Sequence, residues 1–214
     1  MPVCKSGRTT GLTCSEVSAI DVSIGVMYCG DCEPPLVASF TDQIMVKGGD
    51  FVGPGDSGSY IVNADDRQGV GLVFAASKKE TVANPIDAVL KQLSDESNVP
   101  LSIIEGDDCG TLIPQPGGGG GNGNKGRGPG SRSSGAGMAS GLAVARDVKR
   151  RHEEELFGFP GVVGVGIGAD KAGNPVIQVY LAVGGSVGFG GPQLPTELEG
   201  VPVRAVVTGP FIAH

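Results

Sequence analysis

A stretch of low complexity, residues 114–141, divides the chain and so limits the folds that are open to it. It consists mainly of Gly, Pro, Asn, Ser, Lys and Arg, and such a composition leaves almost nothing for a core to bury. We therefore expect a flexible linker there, with one folded part on each side, residues 1–113 and residues 142–214. The chain as a whole has 38 Gly and 15 Pro among 214 residues, which favours tight turns and short strands.

The first part has the pattern of a β domain. Apolar and polar residues alternate along residues 17–26, and further β-forming runs cover residues 43–46 and 70–75. The first alternation places one apolar set on a single face: Ile20, Val22, Ile24 and Val26. A helix is expected to follow, with Asn84 as its N-cap and Pro85 at its first helical position. Its apolar stripe is expected to comprise Ile86, Val89, Leu90 and Leu93.

The second part is expected to be a small α+β domain. Apolar residues recur at helical spacing from Leu142 to Leu156 and indicate an amphipathic helix that ends near Gly158. Three β runs follow, at residues 162–167, 176–183 and 201–207, and a polar turn joins the first two as a hairpin. The fold class expected for the whole chain is therefore mainly β.

One pentapeptide carries the strongest indication of chemistry: Gly55-Asp56-Ser57-Gly58-Ser59. A serine nucleophile needs a hydroxyl held out on a tight turn, near backbone N–H groups that can stabilise an oxyanion, and flanking glycines permit that turn. The β-forming residues Tyr60–Val62 indicate that the loop leads directly into a strand. The same pentapeptide also fits an ordinary surface turn between two strands.

A second motif lies upstream, where Cys4 and Cys14 bracket Lys5 and the sequence Ser-Gly-Arg-Thr-Thr-Gly. In this order, the two motifs resemble the trypsin-like serine peptidases, most closely the bacterial alpha-lytic protease and streptogrisin group, where the first of them opens the second barrel. The resemblance implies that residues 1–113 form the serine-bearing antiparallel half of a chymotrypsin-like double barrel with a C-terminal helix. It also implies a peptide or protein substrate.

The resemblance further implies roles for individual residues. Ser57 would be the catalytic nucleophile, and Gly55, Asp56 and Ser57 would form the oxyanion loop. Lys5 occupies the place of a basic residue that pairs with the aspartate in this group, although a lysine cannot make the bidentate contact of an arginine. The alternative for Asp56 is an exposed turn aspartate. Cys4 and Cys14 would form a disulfide, which favours an extracytoplasmic location even though no signal peptide is present in the sequence as written.

A specificity pocket is expected from Phe51 at its base and from Phe74, Ala75 and Ala76 along its wall. None of these residues is charged, whereas a preference for Lys or Arg would need a buried carboxylate. A small or apolar substrate side chain is therefore expected. The alternative is that Phe51 and Phe74 are ordinary core aromatics.

The last third of the chain also carries a resemblance, based on a Gly/Val pattern. The segments Phe159–Gly168 and Leu198–Pro210 are similar to a small module that precedes the peptidase in some bacterial trypsin-like proteins. Here that module follows the serine-bearing part instead.

The sequence does not supply the histidine base and the acid that a serine peptidase needs beside its serine. In the family, both groups come from the first barrel, and serine needs them to attack a peptide. The chain has only two histidines, His152 in a charged helix and His214 at its end. We therefore expect a peptidase homologue that is incomplete unless another chain supplies a first barrel. The alternative is a non-catalytic binding or scaffold protein that keeps the half-barrel and covers its apolar face with a partner.

Several other functions are not indicated. A net charge of −7 argues against a nucleic-acid partner, and no apolar run is long enough to span a membrane. Cys29 and Cys32 lack a second ligand pair for zinc, so a local disulfide or two free thiols is favoured and Cys109 is left over. The run Gly164-x-Gly166-x-x-Ala169 precedes a strand rather than a helix, which argues against a dinucleotide site. No cofactor or metal is expected.

Overall fold

The computed structural model describes residues 1–29, 32–103, 135–182 and 193–213, and its side-chain description excludes residues 135–139. Within these ranges the protein is mainly β, with a mixed sheet and two helices. The elements in chain order are β1 Pro2–Gly7, β2 Gly11–Cys29, β3 Leu36–Lys47, β4 Tyr60–Asn63, β5 Gly69–Ala76, β6 Glu80–Pro85, α1 Ile86–Ser97, α2 Gly135–Phe157, β7 Val162–Ala169, β8 Pro175–Leu181, β9 Glu197–Leu198, β10 Val201–Val207 and β11 Phe211–Ala213. The expectation of a mainly β fold is confirmed.

The first six strands pair in a closed antiparallel ring. Strand β2 lies between β1 and β3, β3 pairs with β6, β6 with β5, β5 with β4, and β4 pairs back with β1. Closing the ring leaves each of these strands with two neighbours, which protects its backbone groups from pairing with another chain. The Gly-rich run that contains Ser57 connects β3 to β4.

The long strand β2 departs from simple alternation. Val22, Ile24 and Val26 are buried as expected, but Ala19 is buried in place of Ile20. Asp21 has φ 50°, and the pairing of β2 with β3 shifts register between Ala19 and Val22. An irregularity of this kind moves the residues before it to the opposite face, so the prediction for Ile20 was wrong.

The start of helix α1 also corrects a prediction. Asn84 is not an N-cap but part of strand β6, where it pairs with Leu72 of β5. Pro85 occupies the N-cap position, without a side-chain hydrogen bond, and the helix begins at Ile86. Of the predicted apolar stripe, Ile86 is buried, whereas Leu93 is 47% exposed. Sheet pairing therefore extends one residue further than the capping pattern indicated.

The second part has the predicted helix and strands. Helix α2 begins at Gly135, within the segment predicted to be a linker, and ends at Phe157. The remaining linker residues up to 134 lie outside the described residues. Strands β7 and β8 form the predicted antiparallel hairpin, and β10 pairs in parallel with β8. The helix packs on this sheet through buried apolar side chains: Ala145, Val148 and Leu156 against Val165, Ile167, Ile177 and Val179.

The two parts share one sheet. Strand β7 pairs with β2, and the short strand β11 pairs in parallel with β2 and antiparallel with β5. Tyr180 of β8 and Phe211 of β11 are buried in the same cluster as Val22, Ile24 and Val26 of β2. The chain therefore builds one of its cores from residues on both sides of the predicted linker. Neither described helix is both long and apolar enough to cross a membrane.

Candidate functional site

Two consecutive turns place Ser57 at the surface. The amide of Asp56 donates to the carbonyl of Gly53 at 3.0 Å, and the amide of Ser59 donates to the carbonyl of Asp56 at 2.9 Å. In each turn the third residue is a glycine with positive φ, 95° at Gly55 and 83° at Gly58. Such turns favour glycine at this position, and Pro54 ahead of Gly55 suits the second position of the first turn. Ser57 is thus the exposed second residue of the second turn.

The carboxylate of Asp56 is buried, whereas the next residue, Ser57, is exposed. It accepts hydrogen bonds from the backbone N–H of Thr9 at 2.7 Å and of Gly53 at 3.0 Å, and from the hydroxyl of Thr10 at 2.6 Å. The Nζ atom of Lys5 lies 3.1 Å from its Oδ2 atom, and both side chains are fully buried. This burial excludes the alternative of an exposed turn aspartate.

The surroundings of Asp56 hold it in the charged form. Burial by itself would raise the pKa of this carboxyl. The hydrogen bonds from Thr10, Thr9 and Gly53, together with the contact to Lys5, more than offset that effect and hold the pKa well below its usual range. Hydrogen bonds to a charged carboxylate are stronger than those between neutral groups, and several of them together favour the charged form. The buried contacts of Asp56 therefore anchor the loop that carries Ser57.

Lys5 is held in place as firmly as its partner. Its Nζ atom also donates to the hydroxyl of Thr10 and, at 3.4 Å, to the carbonyl of Gly11. The ring of Phe51 lies beneath it, with 5.8 Å between Nζ and the ring centroid. A desolvated ammonium group gains from such a contact with an aromatic face.

The hairpin formed by β1 and β2 makes further contacts with the loop that carries Ser57. The hydroxyl of Thr9 donates to the carbonyl of Pro54 at 2.8 Å, and that of Thr13 donates to the carbonyl of Phe51 at 2.7 Å. A Cβ atom at Gly7 would lie 2.5 Å from the Asp56 carboxyl group, so only glycine fits there. Sequence reasoning missed these partner roles, although Gly7, Thr9 and Thr10 belong to the motif that it singled out.

The residues predicted to form a specificity pocket lie in different places. Phe51 is buried with Val52, Ile61 and Ala76 in one cluster. Phe74 and Ala75 belong to another, and the Phe74 ring is 4.8 Å from that of Phe40, centroid to centroid. The structure thus brings Phe51 and Ala76 together but does not add Phe74 to them.

A cavity of about 670 Å³ lies beside the serine loop. Three segments contribute most of its lining: Gly49, Val52 and Pro54 before Ser57; Ala76–Lys79 after β5; and Val207–Pro210 with Ile212 near the C-terminal end. This wall is largely apolar, with Lys78 and Lys79 at one side. A space of this size is in the range that holds a small ligand or a few residues of a peptide.

The histidine that the structure describes, His152, contacts two carboxylates in the second part of the chain. His152 in α2 has its Nδ1 atom 3.0 Å from Glu155 and its Nε2 atom 2.9 Å from Glu199. The hydrogen bonds to Glu155 and then to Glu199 raise its pKa. Both ring nitrogens are therefore engaged with carboxylates in the second part of the chain. His214 lies outside the described residues.

Two disulfides are present in the described residues. Cys4 is bonded to Cys14, and these cysteines face each other in the pairing of β1 with β2. Cys29 is bonded to Cys32, so the alternative of two free thiols there is wrong. Cys109 lies outside the described residues. In the described part of the chain, no three His, Cys, Asp or Glu side chains are grouped so as to hold a metal ion.

No family model, curated protein or solved structure matches this chain. The assignment of chemistry therefore depends on the geometry alone. That geometry provides an exposed serine on a glycine-flanked turn, which the buried Asp56 anchors, and a largely apolar cavity lined in part by Val52 and Pro54 of the same loop.

Proposed function

We propose that the protein is a trypsin-like serine peptidase homologue in which Ser57 attacks the substrate carbonyl. The single observation that carries the proposal is the buried network of Asp56, which fixes the turn that exposes Ser57. The pairing of Asp56 with Lys5 is the one that the resemblance implies. The closed antiparallel ring of β1 to β6 supports the interpretation of the first part of the chain as one barrel of a chymotrypsin-like double barrel.

The proposed activity requires a base from outside the described residues. Peptide hydrolysis by serine needs an imidazole within hydrogen-bond reach of the hydroxyl and an acid that orients it. The only described imidazole, His152, is held by Glu155 and Glu199. We therefore propose that a first barrel on another chain supplies both groups, and that Ser57 reacts slowly without it. The cavity beside the loop is the proposed place for a small or apolar substrate side chain, with Ala76 in its wall.

A fluorophosphonate probe tests the role of Ser57 without knowledge of the partner. Exogenous imidazole can stand in for the missing base, so we expect the probe to label Ser57 slowly in the purified chain and faster as imidazole is added. Peptide mapping by mass spectrometry gives the labelled position, and Ser57→Ala should abolish the signal. His152→Ala should leave it unchanged. Labelling of Ser57 no greater than that of Ser97, an exposed helical serine, would contradict the proposal.

The second candidate is a non-catalytic binding or scaffold protein. It is favoured by the apolar end of the hairpin of β2 and β3, where Tyr28, Leu36 and Val37 are each more than half exposed. An apolar group of this kind on a surface favours contact with another protein. If this candidate is correct, replacing these three residues by serine reduces self-association in sedimentation experiments, while Ser57→Ala has no effect on it.

A further inference from the structure

The last described strand, β11, fills a position between two other strands. Ile212 pairs with Met27 of β2 on one side and with Ala76 of β5 on the other. The neighbouring pairs are Phe211 with Val26 and Ala213 with Ala75. At this end of the sheet β1 and β4 do not reach β2 and β5, because their pairings lie at residues 11–16 of β2 and 69–72 of β5. The edges of β2 and β5 thus form a two-sided slot for one extended segment.

The side chains of β11 alternate as those of a bound peptide would. Phe211 is 1% exposed and packs edge-on against Tyr180, with ring centroids 6.1 Å apart. Ile212 points outward and is 48% exposed, and Ala213 packs against the same cluster as Phe211. Alternate side chains of an added strand provide specificity while the main chain provides affinity. The slot therefore suits an extended apolar segment with an aromatic residue and, two positions later, a small one.

The attachment of β11 permits exchange. The strand has only three residues, and a turn precedes it in which Gly209 has φ 84°. The amides of Thr208 and Gly209 both donate to the carbonyl of Leu181, at 3.0 and 3.2 Å. These bonds hold the segment before β11 to the end of β8 and are separate from the pairing of β11 with β2 and β5.

We propose that β11 is a displaceable occupant of a peptide-binding slot, and that an extended peptide of the aromatic-x-small type takes its place in trans. The slot borders the cavity beside the serine loop, because Ala76, Pro210 and Ile212 line that cavity. A docked β11 therefore prevents a substrate strand from pairing with Ala75 and Ala76. This regulatory consequence rests on the proposed function, whereas the exchange of peptides does not.

A labelled peptide with the sequence of residues 208–213, Thr-Gly-Pro-Phe-Ile-Ala, tests the exchange by fluorescence anisotropy. Ile212→Pro removes a backbone N–H from β11 while retaining Phe211, and the matched control Ile212→Ala keeps the backbone donor. Because weaker docking of β11 raises the fraction of open slots, we expect Ile212→Pro to bind the peptide about tenfold more tightly than the unmodified chain does. Ile212→Ala should resemble the unmodified chain. A peptide with Asp in place of Phe should not bind.

Hydrogen exchange of the unmodified chain provides a second measurement that needs no variant. The β11 amides should exchange by local opening, about a hundredfold faster than the paired amides of β3. Absence of peptide binding by a folded Ile212→Pro chain, or equal protection of β11 and β3, would overturn the proposal. Peptide exchange without labelling of Ser57 by the fluorophosphonate probe would instead count against the peptidase function and leave the slot intact.

Discussion

Asp56 and Ser57 are adjacent in sequence but have opposite environments. The Asp56 side chain is fully buried and forms an ion pair with Lys5, whereas Ser57 is exposed. A buried ion pair contributes little net stability compared with an apolar pair of the same shape, but the loss of one partner is costly. The pKa of Asp56 is lower in the folded chain than in the unfolded chain. The stabilisation that its carboxylate contributes is therefore fully present above the ordinary aspartate pKa and is lost as the pH falls through the pKa of the folded state.

The first prediction concerns this pair. Asp56→Ala leaves the Lys5 ammonium buried without its counter-ion and removes the acceptor from Thr9 and Gly53, so the free energy of unfolding should fall by about 3–5 kcal/mol. Urea unfolding followed by circular dichroism measures the change. Lys91→Met, which breaks an exposed ion pair with Asp95, is the control and should cost no more than about 1 kcal/mol. Equal effects of the two substitutions would show that the Asp56 network does not hold the loop.

The second prediction concerns Glu80, which is 8% exposed and accepts a hydrogen bond from Ser18 at 2.8 Å. Burial raises the pKa of Glu80 to about 7, against the opposing effects of the Ser18 hydrogen bond and the Lys47 charge. A carboxyl whose folded pKa is raised binds its proton more tightly in the folded state. The resulting stabilisation is therefore present at low pH and is lost as the pH rises from about 4 to 7.

Glu80→Gln removes this titration, so the free energy of unfolding should vary less between about pH 5 and about pH 8 than in the unmodified chain. Unfolding curves at several pH values within that interval measure the slope. Glu16→Gln is the control, because Glu16 is exposed and Lys47 lowers its pKa. Retention of the full slope in Glu80→Gln would assign the pH dependence to another group.

At the scale of elements, the hairpin of β1 and β2 acts as a support for the loop between β3 and β4. The support is cross-linked, because the disulfide of Cys4 and Cys14 joins residues that face each other across the hairpin. The hydroxyl of Thr9 reaches the loop at Pro54. Loosening the hairpin should therefore loosen the serine turn, which is remote in sequence.

The third prediction tests that connection. Replacing Cys4 and Cys14 by serine frees a closed segment whose ends are 10 residues apart, and stability should fall by about 2–3 kcal/mol. Hydrogen exchange at residues 53–59 should rise in the same variant. Replacing Cys29 and Cys32 by serine is the matched control and should leave exchange at the serine turn unchanged. An unchanged turn in both variants would separate the hairpin from the loop.

At the scale of the whole molecule, β2 connects the two parts of the chain. It pairs with β1 and β3 in the ring and with β7 and β11 from the second part. The buried cluster around Val22 and Ile24 includes Tyr180 and Phe211. Because neither part can bury this cluster by itself, the stabilities of the two parts are coupled.

The fourth prediction follows from this shared core. Urea should unfold the chain in a single transition, with the same midpoint by circular dichroism and by hydrogen exchange of β3 and of β8. Phe211→Ala should lower both midpoints together, because it removes a buried ring from the cluster, at a cost of about 3–5 kcal/mol. Ile212→Ala, on the exposed side of the same strand, is the control. A drop confined to the second part would show that the two parts unfold independently.

Features that depend on a few neighbouring residues were predictable from the order of the amino acids. Helical spacing identified α2, turn residues identified the hairpin of β7 and β8, and the flanking glycines Gly55 and Gly58 indicated the tight turn at Ser57. The three-dimensional fold was needed to show that β11 lies between β2 and β5, that β7 extends the sheet from β2, and that Thr9 and Thr10 contact Asp56. It also decided that Asn84 pairs in a sheet instead of capping a helix. Periodicity and turn chemistry act over a few residues, whereas strand pairing depends on which distant segments bury their apolar faces together.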